Sequence, residues 1–283
     1  MNIGKRLRYA AVMLPALDIA SLREWENLIG LRKLRAFENL ANLMNGFDDK
    51  IEYMDTAVIA AQPDWTEEGL HPFVAAMMKE GDKKVIQDIA DSGLMSEREM
   101  YAGFNLALRT LVSENKAILK AKTGDLNAQV EATEWHLVST QVFLGVLAHA
   151  VKKSAKIAAS APNMKVKDFV SEYPKTAQIA NIFQRLDDLK DWQDDFSLRH
   201  SKPMCWSNAT VTALRQTGIT DDQLRSFNAH GNRHGLYPDD QRILTELGNI
   251  RKDICKDINK LPKDRILYGF LQNLMVPNNQ TQI

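Results

Sequence analysis

The sequence lacks most of the features that mark common functional classes. Only two cysteines, Cys205 and Cys255, occur in 283 residues, which excludes a disulfide scaffold and is typical of a reducing compartment. The 36 basic and 36 acidic side chains cancel, so no general attraction to nucleic acid or to an anionic membrane is expected. No apolar run reaches the ~18–20 residues that span a bilayer. We therefore expect a cytoplasmic protein with no nucleic-acid partner and no stable membrane insertion.

The N-terminus has a superficial likeness to a signal peptide. Lys5, Arg6 and Arg8 precede an apolar run over residues 9–17. However, Asp18 interrupts the run early, and no small-x-small cleavage site follows. Secretion is therefore the less favoured interpretation.

Several catalytic motifs are also missing. There is no glycine-rich phosphate loop and no serine nucleophile elbow. His230 and His234 are four apart, but glycines accompany them and no His-Glu-x-x-His pattern is present, which argues against a zinc hydrolase. The other histidines are scattered, and we interpret them as ordinary surface or core residues.

Apolar residues recur every three or four positions along most of the chain, whereas alternating β-type patterns are scarce. This periodicity predicts an all-α protein of about eight to eleven helices in one domain, 1–283, with a flexible tail at 276–283. Ser96 with Glu99, and Thr220 with Gln223, have the spacing of capping boxes and predict helix starts. The predicted helices include 28–60, 72–79, 83–89, 97–122, 127–160, 207–216, 239–260 and 262–275, with another over the acidic segment 183–191.

That acidic segment (FQRLDDLKD) is the most informative feature of the chain. Asp187 and Asp191 are four apart and share one helical face, and Asp188 lies beside them. Such carboxylates repel one another on an isolated helix, and a divalent cation would remove this cost. Hard oxygen ligands at this density suit Mg²⁺, which is commonly shared with substrate phosphates.

A second acidic cluster lies upstream. Asp48, Glu52 and Asp55 fall at i, i+4 and i+7, and Asp49 is adjacent. Both clusters follow apolar helical segments, which predicts half-buried helices whose carboxylates need partners or metals. For either cluster alone, a solvated helix face is the simpler interpretation.

Together these segments resemble the trans (E)-prenyl diphosphate synthases, a family of class I isoprenoid synthases. Residues 183–191 resemble the second aspartate-rich motif of that family, and residues 48–52 (DDKIE) resemble the first, with Glu52 in place of the usual last Asp. The segment 4–8 (GKRLR) is similar to the segment that holds isopentenyl diphosphate in the family. Lys202-Pro203 is similar to the lysine that closes the second motif region.

The resemblance implies an isoprenoid-synthase-type helical bundle around a central cavity, a homodimer, and an allylic prenyl diphosphate as substrate. It implies about three Mg²⁺ ions, with Asp48 and Asp187 as the principal catalytic carboxylates. The implied metal ligands are Asp48, Asp49, Glu52, Asp187, Asp188 and Asp191, and the implied substrate-binding residues are Gln184, Arg199, Lys202, Lys5, Arg6, Arg8 and Lys122. Lys122 belongs to a Lys-Thr-Gly segment similar to a substrate contact of the family, although a helix end at Gly124 explains the same residues.

A carbocation formed by diphosphate departure must be kept from water in an apolar pocket. Aromatic faces stabilise a cation by ~0.5–2 kcal/mol each. Met44, Phe47, Phe143 and Phe183 are the candidate cavity residues, and ordinary core packing is the alternative for each.

The sequence also departs from the chain-elongating members of the family. Those members carry an Arg-Arg-Gly segment soon after the first motif, whereas residues 56–63 (TAVIAAQP) contain no basic residue. This absence favours a terpene synthase that cyclises or rearranges the cation over a prenyltransferase that adds isopentenyl diphosphate. A head-to-head condensing enzyme and an inactive binding or regulatory subunit on the same scaffold remain as further alternatives.

Overall fold

The computed structural model describes residues 31–65, 67–154, 164–230 and 237–261. Within these ranges the regular structure consists of eleven α-helices and one 3₁₀ turn, Pro203–Ser207, with no strand. The all-α prediction is confirmed. The helices are α1 Leu31–Glu52, α2 Thr56–Ala60, α3 Pro72–Met77, α4 Glu80–Asp91, α5 Glu97–Ala121, α6 Leu126–Lys152, α7 Val166–Glu172, α8 Pro174–Leu198, α9 Ala209–Gln216, α10 Asp221–His230 and α11 Pro238–Lys260.

The two predicted capping boxes are confirmed. At the start of α5, the Ser96 amide donates to Glu99 Oε2 at 2.8 Å and the Glu99 amide donates to Ser96 Oγ at 3.3 Å. At the start of α10, the Thr220 amide donates to Gln223 Oε1 at 2.9 Å, and the Gln223 amide returns a bond to Thr220 Oγ1 at 3.3 Å. Both pairs satisfy backbone donors that a helix start leaves without an intrahelical partner.

The predicted helix over residues 28–60 is wrong in one respect, because two helices occupy its described part. α1 ends at Glu52, and α2 begins at Thr56 after a short break. Asp55 is the N-cap of α2, and its side chain accepts from the Ala57 amide at 2.7 Å. A carboxylate that caps the next helix no longer continues the face of the previous one. The acidic face of α1 therefore does not extend to Asp55.

The chain divides into two compact units. The described part of the first unit comprises residues 31–65, 67–116, 135–154 and 164–181. Along α1, Leu40, Met44, Phe47 and Ile51 are buried at spacings of three or four, and α1 packs against α4. Burial of this stripe is what fixes α1 in the unit, since isolated helices gain little from propensity alone.

The described part of the second unit comprises residues 117–134, 182–230 and 237–261. Here α11 packs against α9 and α10. Its apolar core is formed by Trp192, Phe196, Val211, Leu214, Ile219, Leu224, Phe227, Ile243 and Leu247. A smaller cluster gathers alanines of α5 and α6 around Trp206. Residues 182–198 of α8, which include the segment 183–191, belong to this unit.

Some predictions concern residues outside the described ranges. These are the basic residues Lys5, Arg6 and Arg8, the helix over 262–275 and the tail at 276–283. Among the helices that are described, none combines the length and apolar character needed to cross a membrane. The expectations of one domain, a central cavity and a homodimer stay predictions.

Candidate active site

The first acidic motif lies in the last turn of α1. The side chains of Asp48 and Asp49 are exposed, while Phe47 immediately before them is only 4% exposed. The helix therefore turns an apolar side chain inward and two carboxylates outward within three consecutive residues. The side chain of Glu52 lies outside the described part of the structure.

An apolar cleft of about 140 Å³ lies beside this motif in the first unit. Phe47 and Phe104 form its aromatic wall, with ring centroids 5.4 Å apart in an edge-to-face arrangement. Met77 and Met78 also line the cleft, as does Lys50. A cavity of roughly this size accommodates a benzene-sized molecule, or about one isoprene unit.

Lys50 was not predicted as a site residue, yet it lines this cleft. Its ammonium donates to Asp82 Oδ2 and to the Met77 carbonyl, both at 3.0 Å. Burial alone would raise the pKa of Asp82, but the Lys79 amide and the Lys50 ammonium hold it below its ordinary value. Lys79 and Asp82 also line the cleft, so it combines apolar walls with the Lys50–Asp82 ion pair and a second lysine.

The predicted cavity residues have different surroundings. Phe47 lines the cleft, and the ring of Phe143 packs against the ring of Phe47, with centroids 6.4 Å apart. Met44 is 2% exposed and belongs to the core of the first unit. Phe183 is half-buried in the second unit.

The second acidic motif is divided between two faces of α8. Asp187 is exposed, and Asp191, one turn later, has a side chain that is 45% exposed and lies 3.2 Å from the Lys190 ammonium. This contact raises the pKa of Lys190. These two carboxylates share an accessible face, as the spacing predicted.

Asp188 points the other way and is only 4% exposed. Its Oδ1 accepts from Gln184 Nε2 at 2.8 Å, and its Oδ2 accepts from the Ala209 amide, also at 2.8 Å. Its own carbonyl accepts from Asn208 Nδ2 at 3.1 Å. Asp188 therefore fastens α8 to the first residues of α9.

A second connection between α8 and the segment that follows it lies two turns further along, at Asp195. Asn208 Nδ2 also donates to Asp195 Oδ2 at 2.7 Å, and Cys205 Sγ donates to Asp195 Oδ1 at 3.4 Å. Asn208 in turn caps α9, because its side-chain oxygen accepts from the Val211 amide at 3.0 Å. Two of the acidic residues near the second motif thus hold the segment that follows α8.

The sequence contained a signal for this inward orientation. Asp188 precedes Trp192, Phe196 and Arg199 by four, eight and eleven positions, and all four side chains are buried. They form one helical face, while Asp187 lies on the neighbouring one. Apolar periodicity through the motif could therefore have separated Asp188 from Asp187.

Gln184 and the basic candidates are placed in different environments. The amide of Gln184 is committed to Asp188. Lys202 is half-buried and precedes the 3₁₀ turn Pro203–Ser207, whereas Lys122 is exposed just beyond α5. The chain turns at Gly124, with a φ of 94° that favours glycine, so the helix end expected there is confirmed.

Arg199 is a buried structural cation in the second unit. Its guanidinium carbon lies 4.0 Å from the centroid of the Phe196 ring and 5.0 Å from that of Trp206. One Nη donates to Asp221 at 2.7 Å. Burial lowers the pKa of Arg199, and the neighbouring Asp221 counteracts that change. With a side chain only 4% exposed, Arg199 presents no surface to a diphosphate.

The donor chemistry of the motifs can be tested against Mg²⁺. Asp48, Asp49, Asp187 and Asp191 have accessible carboxylate oxygens of the type that Mg²⁺ prefers. Asp188 does not fit, because both of its oxygens accept protein hydrogen bonds in a nearly inaccessible position. In the described ranges, no group of three or more His, Cys, Asp or Glu side chains is arranged to hold a metal.

The sequence and the structure were compared with known proteins. No family model, no curated protein and no solved structure matches this chain.

Proposed function

We propose that the chain is a Mg²⁺-dependent enzyme of the class I terpene synthase type. It ionises an allylic prenyl diphosphate and then cyclises or rearranges the carbocation. One observation carries the proposal: within three residues of α1, Phe47 lines an apolar cleft and the next two residues, Asp48 and Asp49, expose their carboxylates. An amphipathic substrate with an apolar chain and a diphosphate end needs both environments next to each other.

The residues of the chain have distinct roles in this proposal. Phe47 and Phe104 pack against about one isoprene unit of the apolar chain, shield it from water and offer ring faces to positive charge. Asp48 and Asp49 would hold Mg²⁺ in the first unit, and Asp187 and Asp191 would hold it in the second. When bound, the metal supplies charge neutralisation for the departing diphosphate. Lys50 lines the cleft as an ion pair with Asp82, and Lys79 adds a further positive charge.

Asp188 is a positioning residue in this proposal. It fixes the rotation of α8 through the hydrogen bond from the Ala209 amide, so that Asp187 and Asp191 stay on the accessible face. Arg199 has no role in diphosphate binding here, because its guanidinium is enclosed by Phe196, Trp206 and Asp221.

The test is incubation of the full chain and Mg²⁺ with ten-, fifteen- and twenty-carbon allylic diphosphates, followed by mass spectrometry of organic extracts. Hydrocarbon or alcohol formed without isopentenyl diphosphate supports the proposal. Products that form only with isopentenyl diphosphate identify a prenyltransferase instead. No turnover of any allylic diphosphate contradicts both and favours a binding or regulatory subunit.

A variant pair links activity to the second motif. Asp187→Asn should lower turnover by at least ~100-fold, as expected for the loss of one strong electrostatic stabiliser, while the fold survives. Asp88→Asn, which changes an exposed carboxylate of α4, is the matched control and should keep activity within about twofold. Unchanged activity of Asp187→Asn would remove that residue from the mechanism.

A further inference from the structure

A second constellation of reactive side chains lies in the second unit, where α10 ends and α11 begins. Ser226 Oγ is 3.2 Å from His230 Nε2. On the other side of the imidazole, His230 Nδ1 is 2.9 Å from each carboxylate oxygen of Asp240. Serine, histidine and aspartate are thus connected in series by hydrogen-bond distances.

One protonation pattern gives every hydrogen bond of this series a donor and an acceptor. An ionised carboxylate only accepts, so Nδ1 of a neutral His230 carries the proton that points to Asp240. Nε2 is then left as the acceptor for the Ser226 hydroxyl. This is the tautomer that a general base needs in order to take a proton from a serine nucleophile.

Exposure and packing suit the same division of roles. The side chain of Asp240 is 1% exposed, that of His230 is 18% exposed, and Ser226 faces solvent. The carboxylate is therefore shielded, while the hydroxyl is accessible to a reactant. Tyr237 stacks on the imidazole with a centroid distance of 3.7 Å and an interplanar angle of 13°, which restricts rotation of the ring.

The two helices also favour the charges that the reaction would create. His230 is the last residue of α10, where the partial negative charge of the helix end stabilises an imidazolium. Asp240 lies in the first turn of α11, where the partial positive charge stabilises a carboxylate. Ser226 precedes His230 by four residues on α10, so one helical turn sets their separation.

The geometry points to a serine-nucleophile site, Ser226–His230–Asp240, that takes small activated carboxylic esters and is separate from the proposed isoprenoid chemistry. Ser226 Oγ attacks the acyl carbon while its proton passes to His230 Nε2. The ester C–O bond breaks, and His230 returns that proton to the leaving alcohol. Water then attacks the acyl-serine with His230 as base, which releases the acid and restores Ser226. Asp240 is a positioning residue that holds the Nδ1–H tautomer.

The test uses the full chain and a fluorophosphonate probe, whose phosphorus forms a bond to a nucleophilic serine as fluoride leaves. Peptide mass spectrometry should locate the adduct on Ser226, and Ser226→Ala should remove it. Ser197→Ala is the matched control, because Ser197 is also exposed on a helix but donates only to its own helix, at the Gln193 carbonyl. That control should be labelled on Ser226 at the wild-type rate.

Two further variants separate catalysis from packing. His230→Gln should slow labelling by about 100-fold or more, as general-base assistance contributes ~10²–10⁴-fold. Asp240→Asn should slow labelling and also move the imidazole proton to Nε2, which ¹⁵N shifts of His230 report directly. A wild-type chain without an adduct on Ser226 overturns the proposal whether or not any variant folds. A labelling rate that His230→Gln leaves unchanged also overturns it.

Discussion

Replacing Asp188 with alanine should destabilise the protein strongly, whereas replacing its neighbour Asp187 should not. The Asp188 carboxylate accepts from the Ala209 amide and from Gln184 Nε2, both at 2.8 Å, in a position that is 4% exposed. A hydrogen bond to a charged group contributes about 1.5–3 kcal/mol. The half-buried Gln184 amide can form a hydrogen bond to water after the substitution, so the loss of its bond to Asp188 costs only about 0.5–1 kcal/mol. Asp188→Ala should therefore lower the free energy of unfolding by about 2–4 kcal/mol.

The assay is thermal unfolding followed by circular dichroism, with urea unfolding as a second measurement. For a chain of this size, 1 kcal/mol corresponds to about 2 °C, so Asp188→Ala should lower Tm by about 4–8 °C. Asp187→Ala removes an exposed carboxylate from the same helix, and its Tm should stay within about 1 °C of the wild-type Tm.

A metal titration decides between the structural role and a ligand role for Asp188. If Asp188 bound Mg²⁺, Asp188→Asn would keep the metal-free Tm and lose any rise in Tm on addition of Mg²⁺. A structural role for Asp188 gives the opposite result, namely a lower metal-free Tm, because the new amide group would place a donor against Ala209 or Gln184. Equal Tm values for the Asp187 and Asp188 alanine variants would refute it.

Two further predictions concern the first unit. The hydrogen bond from His149 holds the pKa of Glu99 at about 2, below its ordinary 4.5. The lowered pKa contributes on the order of 3 kcal/mol to the free energy of unfolding; this contribution is present above pH ~4.5 and is lost as the pH falls toward 2. In Glu99→Gln, the free energy of unfolding in urea should therefore depend less on pH between pH 5 and 3. An unchanged pH dependence of the free energy of unfolding in that variant would contradict the lowered pKa of Glu99. Gly145→Ala should cost ~1–3 kcal/mol, because its new Cβ would lie 2.7 Å from Phe169 Cε1. In the control Gly248→Ala, in α11, the new Cβ meets no atom within 4 Å, so this variant should raise the free energy of unfolding by ~0.5–1 kcal/mol. If both variants were destabilised to a similar extent, packing against Phe169 would not be the cause at Gly145.

The helices were predictable because their signals are local. The capping boxes at Ser96 and Thr220 need only residues three positions apart. Pro72 and Pro238 stand at helix starts, where a missing amide is harmless. The break after Glu52 was missed because Asp55 fitted the acidic face as well as it fitted an N-cap, and helical spacing alone does not distinguish the two.

The candidate site was only partly predictable, because the fate of a carboxylate depends on what other segments bring to it. The sequence alone determined that Asp187 and Asp191 share a helical face and that Phe47 adjoins two carboxylates. Only the tertiary structure decided that Asp188 accepts from an amide 21 residues later, and that Arg199 is enclosed by two rings and Asp221. Likewise, Ser226 and His230 are neighbours by helical spacing, but only packing of α10 against α11 brings Asp240 to the imidazole. Periodicity sets which way a side chain leaves its helix, whereas its partner, and hence its chemistry, comes from a distant part of the chain.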